Sequence, residues 1–100
     1  MYNKAVRDRI PDIIRDSGST CTVKVLPDEE FLPYLDSKLR EELEEYESSR
    51  SVVELADLIE VIYRISELRN TPIKALESIR LEKRVERGGF EKNLFLIDTS

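Results

Sequence analysis

Two pairs of acidic residues in the middle of the chain have the type and spacing to hold a hard metal ion. Glu42 and Glu45 form the first pair, Glu54 and Asp57 the second, and each pair is three positions apart. Residues three apart lie on the same side of a helix, so each pair presents two carboxylates together. Four gathered carboxylates need a cation to neutralise them. Because the ligands are all oxygens, Mg²⁺ is the expected ion, with Mn²⁺ fitting in its place.

The helical phase sets one acid of each pair inside an apolar stripe. At 100° per residue, Glu42 falls between Phe31 and Leu35 on the first long helix. Glu54 lies in the same way among apolar residues of the second helix, namely Leu58, Val61, Ile62 and Ile65. Two antiparallel helices joined by the short connection 46–53 would direct both acid pairs at one point.

Alternative interpretations of these acids need no metal. Glu54 is the fourth residue of an S-x-x-E capping box that begins at Ser51, which would occupy its side chain at the helix start. Glu42 is one turn from Lys38 and would form an ordinary surface ion pair if the phase were different. A solvated face is the simplest interpretation of the remaining acids of the first helix, Glu41, Glu44 and Glu47, and the preferred one for the last two.

Basic residues near both ends of the chain are candidates for binding phosphate. Lys83 borders the apolar stripe of the last long helix and Arg87 lies beside it, just before Gly88. Ammonium and guanidinium groups there would neutralise phosphate oxygens, or equally would complement the dipole at the helix end. Lys38 is the third candidate. A second basic group, Lys4, Arg7 and Arg9, belongs either to an anion site or to a mobile terminus.

Length and composition limit the class of protein. One hundred residues with 40% hydrophobic and 37% charged side chains describe a single domain spanning 1–100. A net charge of −5 argues against binding to nucleic acid polymers. The chain has no histidine and a single cysteine, which excludes a cysteine/histidine zinc site and a histidine base. No apolar run suits a membrane span or a signal peptide, so we expect a cytoplasmic protein.

Turn and cap signals predict an all-α fold. A brief helix is expected over residues 11–17, with Gly18 as its stop. Asp28 is the predicted cap of the first long helix. The second long helix runs from Ser51 to about Leu68. The third has Thr71 as its predicted N-cap and Pro72 as its first residue, and ends at Gly88-Gly89.

Two features go beyond this antiparallel bundle of three main helices and one short helix. Residues 22–26 and 93–97 are predicted to pair as a small two-stranded ribbon, because each segment alone is too short to be stable. The second long helix is apolar over much of its circumference and is expected to be buried on several sides. Such a small bundle leaves apolar surface to cover, which is compatible with a homo-oligomer.

The acidic residues also resemble a family signature. EELEE at 41–45 followed by ELAD at 54–57 is similar to the E-E-x-x-E … E-x-x-D motif of the all-α nucleoside triphosphate pyrophosphohydrolases, which include MazG and phosphoribosyl-ATP pyrophosphohydrolase. The opening YNKAVRDRIPDII and the closing EKRVERGGFEKNLFL resemble a small, mostly prokaryotic subgroup described as phosphoribosyl-ATP pyrophosphohydrolase-like. The likeness covers nearly the whole chain.

The resemblance implies a reaction and a site. The reaction is Mg²⁺-dependent hydrolysis between the α and β phosphates of a nucleotide, which releases a monophosphate and pyrophosphate. The implied metal ligands are Glu42, Glu45, Glu54 and Asp57. Glu41 would be a further ligand or a partner of one, and Glu45 or Glu41 would accept the proton of the attacking water.

The same resemblance bears on substrate binding and assembly. Lys83 and Arg87 match basic positions where contact with a phosphate is expected. Family members build their sites in dimers or tetramers. The eight residues between Glu45 and Glu54 are fewer than is usual in MazG, which leaves less chain for a nucleobase pocket.

Two other functions remain open. The chain would also suit a helical regulatory or interaction protein that binds a nucleotide or metal without turning it over. Within the enzyme class, the alternative is phosphoribosyl-ATP hydrolysis in histidine biosynthesis.

Overall fold

Four helices make up the regular structure of the chain. The computed structural model describes residues 2–100 and contains α1 (Ile10–Asp16), α2 (Asp28–Ser49), α3 (Val52–Leu68) and α4 (Ile73–Arg87). No strand occurs between residues 2 and 100. The prediction of an all-helical fold, with one short helix and three long ones, is therefore confirmed.

The centre of the fold is an antiparallel pair formed by α2 and α3. Only Arg50 and Ser51 separate the two helices, and such a short connection joins antiparallel neighbours. Arg50 makes the turn in the left-handed region, with φ 59°. Asp36, early in α2, lies within 3.7 Å of Arg69, which follows α3. The pairing sets the middle of α2 opposite the first half of α3.

The helices begin close to the predicted positions, but two of the predicted side-chain caps do not form. Ser51 is the N-cap of α3, and its Oγ accepts a hydrogen bond from the Val53 backbone N–H at 3.2 Å. Asp28 does not cap α2, because Pro27 occupies the cap position and Asp28 is the first helical residue. Similarly, α4 begins after Pro72, without a side-chain cap. Both prolines are extended, with φ near −57°, and so fix the helix boundary themselves.

The predicted ribbon does not form in the chain described here. Residues 22–26 and 93–97 have no regular structure, and most of their side chains face solvent. Val25 and Phe95, for example, are almost fully exposed. Two short segments without a helix face to pack on gain too little to offset the entropy of pairing.

The core of the single chain is small and lies on the seam between α2 and α3. Its buried apolar residues are Ala5, Leu35 and Val61, and the partly buried residues packed on them are Phe31, Leu39, Ile65 and Leu68. Beyond its first two turns α4 is exposed throughout. The radius of gyration is 17.6 Å, against about 13 Å for a compact chain of this length.

The outer side of α3 remains uncovered in one chain. Apolar residues there face solvent and form an outer stripe, which consists of Val52, Leu55, Ile59 and Ile62. The expectation that this helix is buried on several sides is therefore wrong for the isolated chain, because only α2, the N-terminal segment and the start of α4 pack on it. None of the helices described is both long and apolar enough to cross a bilayer.

Candidate metal centre

Three carboxylates meet where α2 and α3 face each other. Glu42, Glu54 and Asp57 each place one oxygen within 4.8 Å of the others. We call these three residues the acidic cluster. The helical phase put the same acids on the facing sides, and the antiparallel pairing brings them together.

Glu42 is the most buried member of the acidic cluster. The residue is 6% exposed, and its Oε1 lies 3.4 Å from Nζ of Lys38. Its other oxygen, Oε2, has no hydrogen-bond partner among the described residues. Burial raises the pKa of the Glu42 carboxyl, and the nearby charge of Glu45 raises it further. The ion pair with Lys38, considered as an alternative to a metal site, does form, but both side chains are largely buried rather than at the surface.

Glu54 faces Glu42 and does not close a capping box. The backbone N–H of Ser51, which a capping box would require, instead donates to Oγ of Ser49 at 3.2 Å. Oε2 of Glu54 is buried and lacks a hydrogen-bond partner among residues 2–100. Burial and the charges of Glu45 and Asp57 raise the pKa of Glu54. The side chain is therefore free to take part in the acidic cluster.

Asp57, by contrast, has a cationic partner from far along the chain. Nη2 of Arg7 lies 2.7 Å from Oδ1 of Asp57, at the distance of a charge-assisted hydrogen bond. This contact joins the N-terminal segment to α3. The sequence marks Arg7 as part of a basic group, but no pattern in it connects Arg7 with the acids.

Glu41 turns toward lysines. Its Oε1 lies 3.1 Å from Nζ of Lys4 and 3.4 Å from Nζ of Lys38. Burial acts to raise its pKa, but the hydrogen bond from Lys4 and the charges of both lysines outweigh it, so the pKa is lowered. Glu41 therefore forms ion pairs with two lysines beside the acidic cluster and is not itself a member.

Glu45 lies at the rim. Its side chain is exposed, and it does not belong to the acidic cluster. Its charge nevertheless raises the pKa values of Glu42 and Glu54. Of the four acids expected at one point, three come together, with oxygens within 4.8 Å of one another, and Glu45 is not among them.

The candidate phosphate-binding residues divide into two groups. Lys38 lines a cavity of about 310 Å³ that also exposes Glu42 and Asp57. Lys83 and Arg87 are exposed on the second half of α4 and do not line that cavity. The expectation that Lys83 borders the core is wrong within one chain, because α4 leaves the bundle after its first two turns.

The cavity takes its remaining positive charge from Arg7, a member of the predicted N-terminal basic group, and from Arg64, which was not among the predicted basic residues. Arg7, from the N-terminal segment, and Arg64, from α3, line it beside Lys38. The sequence feature that indicated a role for Arg7 was the basic group at 4–9. A strongly acidic middle of the chain favours such a cationic neighbour.

The donor set fits a hard divalent cation. All three members of the acidic cluster offer oxygens, and no histidine is present anywhere in the chain. Two buried carboxylate oxygens without partners are costly unless a cation or an equivalent donor meets them. Mg²⁺ typically takes a few carboxylates and completes its shell with water and phosphate oxygens. The residues present match that requirement.

Comparison with known proteins adds one partial relative. Neither a protein-family model nor a solved structure matches the chain. A protein of Mycolicibacterium smegmatis, described as uncharacterized, is 52% identical over 40 residues, which are 40% of this chain and 41% of that protein. The chain thus matches about two fifths of the length of this relative.

Proposed function

We propose that the chain is a Mg²⁺-dependent nucleotide pyrophosphohydrolase. Its substrate would be a nucleoside triphosphate or a related phosphoribosyl nucleotide, cleaved between the α and β phosphates to a monophosphate and pyrophosphate. The observation that carries the proposal is the buried Glu42, whose unpartnered Oε2 belongs to a cluster with Glu54 and Asp57. The resemblance of residues 41–45 and 54–57 to the all-α pyrophosphohydrolase motif supports the same reaction.

Each acid has a role in this proposal. Glu42, Glu54 and Asp57 would hold the cation, with Glu45 as a fourth ligand. A bound Mg²⁺ would supply neutralisation of the phosphate oxygens and a lowered pKa for the attacking water. Glu45 is the better placed general base, because Glu41 is engaged by two lysines.

Substrate phosphates would contact Lys38 inside the cavity. Its ammonium group lies between Glu41 and Glu42 and opens onto the cavity. Lys83 and Arg87 could join it only from a second copy, since neither lines the cavity of its own chain.

We further propose a homodimer or homotetramer. The outer stripe of α3 and the exposed second half of α4 are the surfaces that such an assembly would cover. No membrane and no nucleic acid polymer is part of this proposal.

A protein that binds a nucleotide or metal without turnover is the second candidate. The observation in its favour is that Arg7 and Lys4 already pair with Asp57 and Glu41, so the chain's own cations satisfy part of the acidic charge.

The test is pyrophosphate release from a panel of standard and modified nucleoside triphosphates and phosphoribosyl-ATP, each with Mg²⁺, Mn²⁺ or EDTA. We expect release that needs the metal and falls at least about 100-fold in Glu42→Gln and Asp57→Asn. Glu47→Gln, an exposed acid of the same helix, is the matched control and should leave the rate unchanged.

Two outcomes would contradict the proposed function. Activity that survives EDTA, or both cluster substitutions, would remove the metal centre from the reaction. Metal-dependent nucleotide binding with no product from any member of the panel would favour the non-catalytic candidate. Turnover confined to phosphoribosyl-ATP would assign the enzyme to histidine biosynthesis.

A further inference from the structure

The N-terminal segment lies across the candidate metal centre. We call residues 4–8 the N-terminal strap. Ala5 is 4% exposed and packs into the core with Leu35 and Val61. On either side of this anchor, Lys4 reaches Glu41 and Arg7 reaches Asp57. The burial of Ala5 thus holds the Arg7 guanidinium beside the acidic cluster.

Arg7 and Lys38 share one cavity with the acids. Both line the space of about 310 Å³ to which Glu42 and Asp57 also contribute. The Lys38 side chain is 18% exposed and is confined between two carboxylates, whereas the Arg7 side chain is 55% exposed. A ligand entering from solvent therefore meets the guanidinium group directly.

Acidic side chains outnumber basic ones in this cavity. Arg7, Lys38 and Arg64 are the basic residues that line it, and the acidic ones are Asp8, Glu42, Asp57, Glu60 and Glu67. An excess of negative charge repels a polyphosphate. A cationic side chain that can turn to the phosphate oxygens therefore has a large influence on whether such a ligand binds.

We propose that Arg7 is a phosphate-binding residue that sets the affinity of this cavity for a pyrophosphate group, and this inference rests on the proposed function. If Asp57 turned to a bound cation, the guanidinium would lose its partner, while the buried Ala5 would keep the backbone of the strap beside the cavity. The planar fork of the guanidinium could then donate two parallel hydrogen bonds to phosphate oxygens, a geometry that a lysine ammonium group does not offer. The ligand class is a nucleoside diphosphate or triphosphate.

A purely structural role for Arg7 explains less. An ion pair this exposed contributes little to stability, and Ala5 already anchors the strap. The guanidinium is not required to hold the segment, yet it faces the cavity.

The experiment separates metal binding from phosphate binding by calorimetry. Wild type, Arg7→Gln, Arg7→Lys and the control Arg9→Gln are titrated first with Mn²⁺ alone. The Mg²⁺-loaded proteins are then titrated with inorganic pyrophosphate. Arg9 is exposed on the same segment and lines no part of the cavity, so it matches Arg7 in charge and location.

We expect Arg7→Gln to bind Mn²⁺ as tightly as wild type or tighter, because Asp57 loses a competing cation. Its affinity for pyrophosphate should fall by about 10-fold to 100-fold, as for the loss of a charged hydrogen-bond donor. Arg7→Lys should fall between Arg7→Gln and wild type, and Arg9→Gln should match wild type.

The outcomes distinguish the two proposals. A pyrophosphate affinity of Arg7→Gln within about twofold of wild type, or equal losses in Arg7→Gln and Arg9→Gln, would overturn the role of Arg7 alone. A wild type that binds no Mn²⁺ would overturn the metal centre. Pyrophosphate binding that depends on Arg7 to the same extent in EDTA would uphold Arg7 as a phosphate ligand but overturn its release from Asp57 by a cation.

Discussion

Glu42 on α2 and Glu54 on α3 face each other across the helix seam, and each has a buried carboxylate oxygen with no hydrogen-bond partner among the described residues. Asp57 is near both. Like charges held this close in a partly buried place oppose folding, and they do so most when all of them are ionised. These three acids lie at the centre of the main helix pair, where apolar side chains would pack without the free-energy cost of burying like charges.

The first prediction concerns pH in the absence of metal. Burial and neighbouring acids raise the pKa of Glu42 and Glu54 above the ordinary value of 4.5. The folded state therefore binds protons more tightly than the unfolded state, and these groups make stability fall as pH rises from about 4.5 through their raised values. Urea denaturation in EDTA should show this loss as pH rises above about 4.5.

The Glu42→Gln variant is the control for that pH series. It removes the charge and keeps the shape, so it should be more stable than wild type at neutral pH and should show a weaker loss of stability as pH rises. Glu41 has a lowered pKa and acts in the opposite direction at lower pH, where the chain loses stability on acidification. Identical pH profiles for wild type and Glu42→Gln would contradict a raised pKa for Glu42.

The placement of the acids could be predicted from sequence because it depends on helical phase. Glu42 interrupts an apolar stripe of α2, and at 100° per residue that fact alone puts it toward the core. Glu54 follows by the same argument, and a two-residue turn then sets both acids face to face. The position of each acid on its helix follows from the sequence of that helix alone, and the short connection determines that the two helices pair antiparallel.

The placement of the basic residues could not be predicted in the same way. Phase put Lys83 beside an apolar stripe, but the stripe of α4 meets α3 only over the first two turns. Arg7 lies in a segment with no periodic structure, so no pattern linked it to Asp57, fifty positions away. Contacts of this kind depend on tertiary packing. The ribbon failed for a related reason, since pairing of two distant segments needs a surface beneath them.

The second prediction tests a local feature, the cap of α3. Ser51→Ala removes the hydroxyl that accepts from the Val53 N–H and should lower the free energy of unfolding by about 1 kcal/mol. Thr71→Ala is the matched control before α4, where the hydroxyl contacts the Arg69 carbonyl at 3.4 Å and caps no helix N–H group. Its cost should be below about 0.5 kcal/mol. Equal costs in urea denaturation at one protein concentration would contradict the assigned caps.

The third prediction concerns assembly through the outer stripe of α3. Its four apolar residues recur at positions 52, 55, 59 and 62, a spacing that keeps them on one side of the helix, away from α2. Leaving that side in water forgoes hydrophobic stabilisation in a chain whose own core is small. Light scattering after size exclusion should therefore give two or four times the 11.7 kDa of one chain at micromolar concentration.

Ile59→Lys places a charge in the middle of that stripe, where a partner would have to desolvate it. The change should weaken association by about 30-fold or more, so the variant should elute nearer to the monomer mass. Val23→Lys is the matched control, because it makes the same kind of exchange at an exposed residue outside the helices. A wild type that remains a stable monomer of about 12 kDa at micromolar concentration, or equal behaviour of the two lysine variants, would contradict assembly through α3. The monomer result would also leave Lys83 and Arg87 without a second copy through which to reach the acidic cluster.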